Sequence, residues 1–486
     1  MRRIRHYGVT MTPDLAVVTT PSASVTGHRR IGGGSEFRGI RYATAARFTR
    51  PTDVALEGDV SALEFGAICP QVPGFLEQTL GLDASSMSED CFYLNVYVPE
   101  GASASSSLPV LFWIHGGAYT NGAGSLDWYH GNSLAKRNTV VVSINYRLGI
   151  LGFLGEENYG TEDMMSALRW THENISFFGG NPNNVTIFGE SAGGSAVVSL
   201  LAAADADHLF HKAWAMSPSI GQLRTRDRAM DVQKEIFAEA AVTSRDELAA
   251  LSLDRLLEIQ TGLLARPARE FDWFAPATSC NSIASDLLAK TSSDARPFVI
   301  GTNKDENKLW AAFNPSAATV TQQDWLQHTT KIFQGNASAA QAAYKQHRAG
   351  ESPHFLMSAV DTDVAFRARA WSLADERCSL SNPTWMYWFT WETPAFGGIL
   401  GSCHALDIPF AFDNLDAPGG EMFTGTDPER LPLAQRFADE IAHFATHAHP
   451  TWEQYNTATR PTLRLDSEVS LLQDPERALR VLFTTK

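Results

Sequence analysis

The chain has 486 residues, a formal net charge of −15, 44% hydrophobic residues and 19% charged residues. That apolar content supports a packed core and excludes a disordered chain. The acidic balance argues against a binder of nucleic-acid phosphates, which needs a basic face, and no run of 18 apolar residues suggests a membrane span.

Residues 1–14, "MRRIRHYGVTMTPD", carry positive charge but no apolar stretch of signal-peptide length. They read as a flexible tail, and a cytoplasmic protein is the expectation. Length alone suggests about three domains. Strand and helix patterns nevertheless alternate without a long linker, so a single domain over 1–486 is the simpler account. The five cysteines are Cys69, Cys91, Cys280, Cys378 and Cys403, and no pair has zinc-site spacing. Cys403 adjoins His404, but no second ligand cluster accompanies them, and no metal site is expected.

"EGASASSSLP" (100–109) reads as a surface loop. "LPVLFWIHGG" (108–117) reads as a buried strand that ends in glycines, and "TVVVSINYR" (139–147) as another. In "TEDMMSALRWTHENISFF" (161–178), Met164, Leu168, Thr171 and Ile175 share one helical face, with Thr161 to Asp163 as a polar start. "RPFVIGTNKDE" and "PTWMYWFTWE" are further continuous apolar runs. Strands buried on both faces and alternating with helices predict a mostly parallel α/β sheet. Residues 220–290 are helix-like and polar, and read as an insertion over the top of the sheet.

"NVTIFGESAGGSAV" (184–197) places Ser191 between a strand pattern and a helix pattern. Strand, Gly-x-Ser-x-Gly and helix in that order form the context of a nucleophile elbow. The turn is tight, so positions two before and two after the serine must lack a bulky Cβ; here they are Gly189 and Gly193. The helix start offers the N–H of Ala192 to a reacting centre. "HGGAY" (115–119) ends a buried strand and offers the N–H groups of Gly116 and Gly117. These three are the candidate donors for an oxyanion.

A serine nucleophile needs a base, and the chain order of such sites is Ser, acid, His. His443, His447 and His449 lie in "IAHFATHAHP", a solvated helix end. His404 lies in the Gly-rich "GGILGSCHALDIPF" after a strong strand, where a catalytic imidazole would be held. The acid should lie between, just past a strand, and "PFVIGTNKDEN" offers both Asp305 and Glu306. The pattern alone does not choose between those two.

Together the stretches "FRGIRYA", "SEDCFYLNVYVP", "WIHGGAY", "SLDWYHGNSLA", "NYRLGILGFL", "NISFFGGNPNNVTIFGESAGG", "IGTNKDEN" and "CHALDIPFAF" run in order from about residue 37 to 412. In them the chain resembles the type-B carboxylesterases, which include para-nitrobenzyl esterases, mammalian carboxylesterases and cholinesterases. The resemblance implies an α/β-hydrolase fold: a mostly parallel central sheet flanked by helices, with helical insertions covering an active-site gorge. It selects Glu306 as the acid, beside Ser191 as nucleophile and His404 as base. Its oxyanion donors map to Gly116, Gly117 and Ala192. Glu190 and Asp407 match carboxylates that support the site, and a plain structural role is the alternative for both. Family ion pairs fall on Arg47 with Glu89 and on Arg147 with Asp163. Cys69 and Cys91 match a pair bridged in secreted members, and reduced thiols are expected here.

Some positions depart from the pattern. Asn307 stands where the family has Gly after the acid; asparagine is the next most tolerant of a positive φ. Arg41 replaces a proline, and Ala118 and Tyr119 replace a Gly and a Phe. Phe112, Tyr119 and Trp310 are candidates to line the gorge, with core packing as the alternative. The expectation is a serine carboxylesterase acting on small, largely apolar esters through an acyl-enzyme. No cofactor or metal is implied, nor any nucleic-acid partner, and the chain is expected to be a monomer or a weak homo-oligomer. Adhesion members of the family, which keep the fold and lose the serine, are the rival; retention of Ser191, Glu306 and His404 together argues against it.

Overall fold

Seven parallel strands form the centre of the molecule. In spatial order they are Val140–Ile144, Leu108–Ile114, Gly180–Glu190, Lys212–Met216, Phe298–Asn303, Thr384–Phe389 and Pro461–Leu465. Among the described residues, antiparallel strands extend both edges and the short strand Gly58–Ser61 pairs in parallel with Ala23–Arg29, giving 13 strands in one sheet. The structure is a computed structural model that describes residues 14–30, 32–74, 82, 84–266, 273–278 and 282–484. Residues 1–13 of the expected tail, and Cys280, therefore lie outside the described residues.

The apolar runs explain the centre. Every residue of Val140–Ile144, Lys212–Met216 and Phe298–Asn303 is buried. Strands without a solvent face need helices on both sides, and parallel neighbours need crossovers that supply them. Two large apolar clusters result, one on each side of the sheet: one holds Phe112, Ile187 and Val197, the other Trp113, Phe188 and Trp214. Neighbours along a strand point to opposite faces, which sends Phe112 and Trp113 to different clusters.

The long helix after strand Val140–Ile144 runs Tyr159–Asn174, starting two residues earlier than its polar start suggests. Thr161, Glu162 and Asp163 are buried rather than solvated. The reason is Arg147, whose Nε and Nη2 donate to Asp163 at 2.8 and 2.7 Å. Arg47 also pairs with Glu89, its Nε 2.8 Å from Oε2, and its Nη1 caps the carbonyls of Ala249 and Leu251. Both expected ion pairs are thus present.

The 220–290 segment contributes helices Arg226–Ala240, Arg245–Ala249, Leu253–Leu264 and Leu287–Ser293. Thr225, Ser244 and Ser252 cap the first three by accepting an N–H in the first turn. Gln260 Oε1 accepts from Ile150 N–H, so this layer packs on a loop at the carboxyl ends of the strands. Cys69 and Cys91 are buried free thiols, and Cys69 Sγ accepts from Leu148 N–H at 3.2 Å.

Candidate active site

Strand Gly180–Glu190 ends one residue before Ser191, and helix Ala192–Leu201 begins one residue after it. Ser191 has φ 58° and ψ −119°, a region that a non-glycine residue occupies at a cost of about 1–3 kcal/mol. Two glycines make the corner possible. A Cβ on Gly189 would lie 2.6 Å from the Gly193 carbonyl carbon, and one on Gly193 would lie 2.0 Å from Ile114 O. Glu190 and Ala192 are buried, while Ser191 between them is partly exposed. The corner therefore presents its hydroxyl and hides its flanks.

The glycine strand end lies against this corner. A Cβ on Gly116 would meet Glu190 O at 2.7 Å and Ser191 Cβ at 3.1 Å, so only glycine lets this backbone come so close. Among the described residues, the N–H groups of Gly116, Gly117 and Ala192 donate to no backbone or side-chain acceptor. Gly116 and Ala192 thus bring N–H groups without a partner beside Ser191, and the helix N-terminus adds positive potential there.

Glu306 and His404 follow the ends of adjacent strands, Phe298–Asn303 and Thr384–Phe389. The His404 Nδ1 edge lies 2.6 Å from Glu306 Oε2, and His404 N–H donates to Glu306 O at 3.1 Å. Glu306 Oε1 accepts from Asn303 N–H at 2.7 Å. The Asn303 amide donates to Cys403 O at 2.8 Å and to Asp407 Oδ1 at 3.2 Å. Tyr387 OH donates to Asp407 Oδ2 at 3.2 Å. Asp305 turns the other way: its Oδ2 accepts from Ser402 N–H at 3.2 Å, and its Oδ1 lies 3.7 Å from Lys308 Nζ.

Glu190 reaches the opposite edge of the imidazole, with Oε1 3.2 Å from Nε2. Among the described residues no hydrogen bond joins Ser191 Oγ to His404; Nε2 faces Glu190, the residue before Ser191, instead. Bonds between nucleophile and base commonly tighten only when substrate arrives. Burial disfavours a charged His404 ring, but the carboxylates of Glu190 and Glu306 outweigh it and lift its pKa to about 9. Burial pushes the Glu190 carboxyl up, against the attraction of His404. Burial and the nearby Glu306 charge do the same to Asp407, to about 7.

Two rings touch the imidazole. Trp310 lies 5.1 Å from it and is 45% exposed, and Phe366 lies 4.9 Å away and is buried. Phe112 and Tyr119, the other gorge candidates, are wholly buried in the core, Tyr119 edge-on to Phe153. Sequence reasoning missed Phe366, which sits in a helical pattern with no motif around it. Asn307 has φ −71°, so this position does not require the left-handed backbone that its asparagine could have supplied. Its N–H donates to Thr362 Oγ1 at 3.0 Å instead. Among the described residues no group of three side chains could hold a metal ion.

A serine corner at the carboxyl edge of a parallel sheet, with a His–Glu pair on the loops of neighbouring strands, defines the class: this is an α/β-hydrolase fold. Comparison with known proteins narrows it. Residues 14–482 match the carboxylesterase family. Para-nitrobenzyl esterase of Bacillus subtilis (strain 168) is 34% identical, over 97% of this chain and 99% of that protein. Phenmedipham hydrolase of Pseudarthrobacter oxydans is 31% identical, over 95% and 97%. A solved carboxylesterase of Geobacillus stearothermophilus superposes with a TM-score of 0.84 at 29% identity, covering 96% of this chain and 99% of that one. The chain belongs to the carboxylesterase family and is a carboxylic ester hydrolase.

Proposed function

We propose that the enzyme hydrolyses small, largely apolar esters through an acyl-enzyme on Ser191. His404 takes the hydroxyl proton as Ser191 attacks the carbonyl carbon, then returns it to the leaving alcohol. Glu306 fixes the ring's orientation and stabilises the imidazolium. The oxyanion sits among the N–H groups of Gly116, Gly117 and Ala192. Water then attacks the acyl-enzyme, with His404 again taking the proton. Before the first step His404 must give up its contact with Glu190, because Nε2 serves either that carboxylate or the serine. Glu190, at the Nε2 edge, and Asp407, on the side of Asn303 and Tyr387, act through charge rather than through contact with substrate. Trp310 and Phe366 line the apolar approach to His404. The observation that carries this reading is the 2.6 Å contact of His404 with Glu306 beside a strained, partly exposed serine.

The reading extends to setting. The net charge of −15 disfavours nucleic acid as a partner. The buried free thiols Cys69 and Cys91 favour a reducing compartment, hence a cytoplasmic enzyme. Among the described residues no helix is long and apolar enough to cross a membrane. A single hydrolase domain, acting as a monomer or a weak homo-oligomer, suffices for the chemistry.

The test is phosphonate labelling with peptide mapping, beside turnover of nitrophenyl esters and the matching anilides. One adduct on the peptide carrying "GESAGG", ester turnover well above anilide turnover and indifference to a chelator are the expected results. Adducts elsewhere, or loss of activity with the chelator, would overturn the reading.

A further inference from the structure

Helices Pro353–Thr362 and Ala368–Ser379 are joined without a break by a π-helical turn, Asp363–Arg367. Such wide turns hold an extra residue and occur often at functional sites. Here the turn aims two consecutive residues at the catalytic loops. Phe366 packs against the His404 ring. Arg367 Nη2 donates to Lys304 O at 2.6 Å and to Asn303 O at 3.2 Å. Those are the last two carbonyls before Asp305 and Glu306.

Asn303 is the hub of the acid–base pair. Its N–H holds Glu306 Oε1, and its amide holds Cys403 O, next to His404. Arg367 holds the carbonyl of the same residue and the next one, so one guanidinium fixes the two peptides from which the chain turns into Glu306. Its own position is set in turn by charge. Arg367 Nη1 pairs with Glu476 and lies 3.1 Å from Asp363 Oδ1. Arg348 Nη1 donates to Glu476 Oε1 at 2.7 Å, and Tyr344 OH to Asp363 Oδ2 at 2.7 Å. All of these carboxylates and guanidiniums are buried, with side-chain exposures of 8% or less. The Arg367 guanidinium also sits over Trp388, 5.1 Å from the ring centre. A buried ionic cluster is weak evidence of stability in itself, since desolvation offsets most of the attraction. Its geometry is informative: Nη1 is held by the carboxylates while Nη2 donates to two carbonyls beside the site.

We propose that Arg367, anchored by Glu476 from the C-terminal segment, is a positioning residue for the Glu306–His404 pair. This rests on the reading of those two residues as acid and base. A lysine cannot do both, because its ammonium is a single point and has no second nitrogen to stay on the carboxylates while the first meets the carbonyls. Small misplacements of catalytic groups cost up to about a hundredfold in rate.

The experiment compares Arg367→Lys and Glu476→Gln with Arg377→Lys in the full chain. Arg377 is a control on the same helical segment. It is fully buried and likewise donates to backbone carbonyls, those of Thr291 and Arg296, but has no contact with the site. Each variant is assayed well below its melting temperature for kcat, KM and the pH dependence of kcat/KM. Arg367→Lys should lose about tenfold or more in kcat, with KM within about threefold of native. The acid limb should move to lower pH, because His404 loses part of its hold on Glu306, leaving Glu190 and Asp407 as its other charged neighbours. Glu476→Gln should move the same limb in the same direction, with a smaller loss of kcat. Arg377→Lys should lower the melting temperature and leave kcat and the limb unchanged. A smaller kcat loss in Arg367→Lys, an unmoved limb, or an equal limb shift in Arg377→Lys would overturn the proposal. Where Arg367→Lys does not fold, the limb in Glu476→Gln decides. Phosphonate labelling of the native enzyme at Ser191 is the separate check on the underlying mechanism.

Discussion

Glu190 Oε1 stands 3.2 Å from His404 Nε2, on the ring edge that a serine hydroxyl must use. The carboxylates of Glu190 and Glu306 therefore both favour the charged form of this ring. The sign follows directly. The His404 pKa is raised to about 9, so the free base appears only as pH climbs toward that value. The kcat/KM of the native enzyme should rise up to about pH 9. Glu190→Gln removes the charge and keeps the shape, so its acid limb should fall toward the ordinary histidine range. A pH–rate profile of the two proteins checks this; an unmoved limb would assign the raised pKa elsewhere.

In the proposed mechanism Ser191 and His404 act as a unit. Ser191→Ala and His404→Ala should each lose roughly three orders of magnitude or more in turnover, and the double variant little beyond that. Circular dichroism and single-turnover rates on the folded variants measure it. Near-native turnover by Ser191→Ala would end the mechanism.

Glu306 and Asp305 are adjacent but face opposite partners. Glu306→Gln should cost roughly a thousandfold or more in kcat, since the imidazolium loses its ionised neighbour. Asp305→Asn keeps an acceptor for Ser402 N–H and loses only an ion pair with Lys308 at 3.7 Å. It should retain kcat to within about tenfold. Steady-state kinetics on both variants would expose a reversed ranking.

Gly193→Val would force atoms into Ile114 O, which an added Cβ alone approaches to 2.0 Å. The corner must open, at a cost of roughly 1–3 kcal/mol or more. Melting temperature and phosphonate labelling should fall together. A stable, fully labelled variant would show that the turn has slack.

What the sequence made legible follows from where the information sits. The serine corner is local: two glycines, a β-branched run and a small-residue helix lie within 14 residues, so pattern suffices. The glycine pair Gly116–Gly117 at the end of a buried strand is legible for the same reason. The choice of Glu306 over Asp305 is not, because it turns on which way two adjacent side chains leave a strand end, and only the family resemblance resolved it. Phe366, Arg367 and Glu476 are illegible because their partners are distant in sequence; Glu476 lies 109 residues from Arg367. A π turn has no side-chain signature, and the helix periodicity around it reads as ordinary core. Phe112 and Tyr119 mark the converse limit, since an aromatic near a motif is as readily core as lining.

The strand order carries a consequence for how such an enzyme can diversify. Glu306 and His404 are 98 residues apart in the chain, yet they hang from strands that are direct neighbours in the sheet. The ladder between those strands fixes the distance between the two loops, whatever the intervening chain does. Helices from Lys308 to Ser379 can therefore lengthen, shorten or be replaced while Glu306 and His404 keep their spacing. Selection can rewrite which esters enter without renegotiating how they are cut, as long as the few anchoring side chains that reach back to the strand ends are retained.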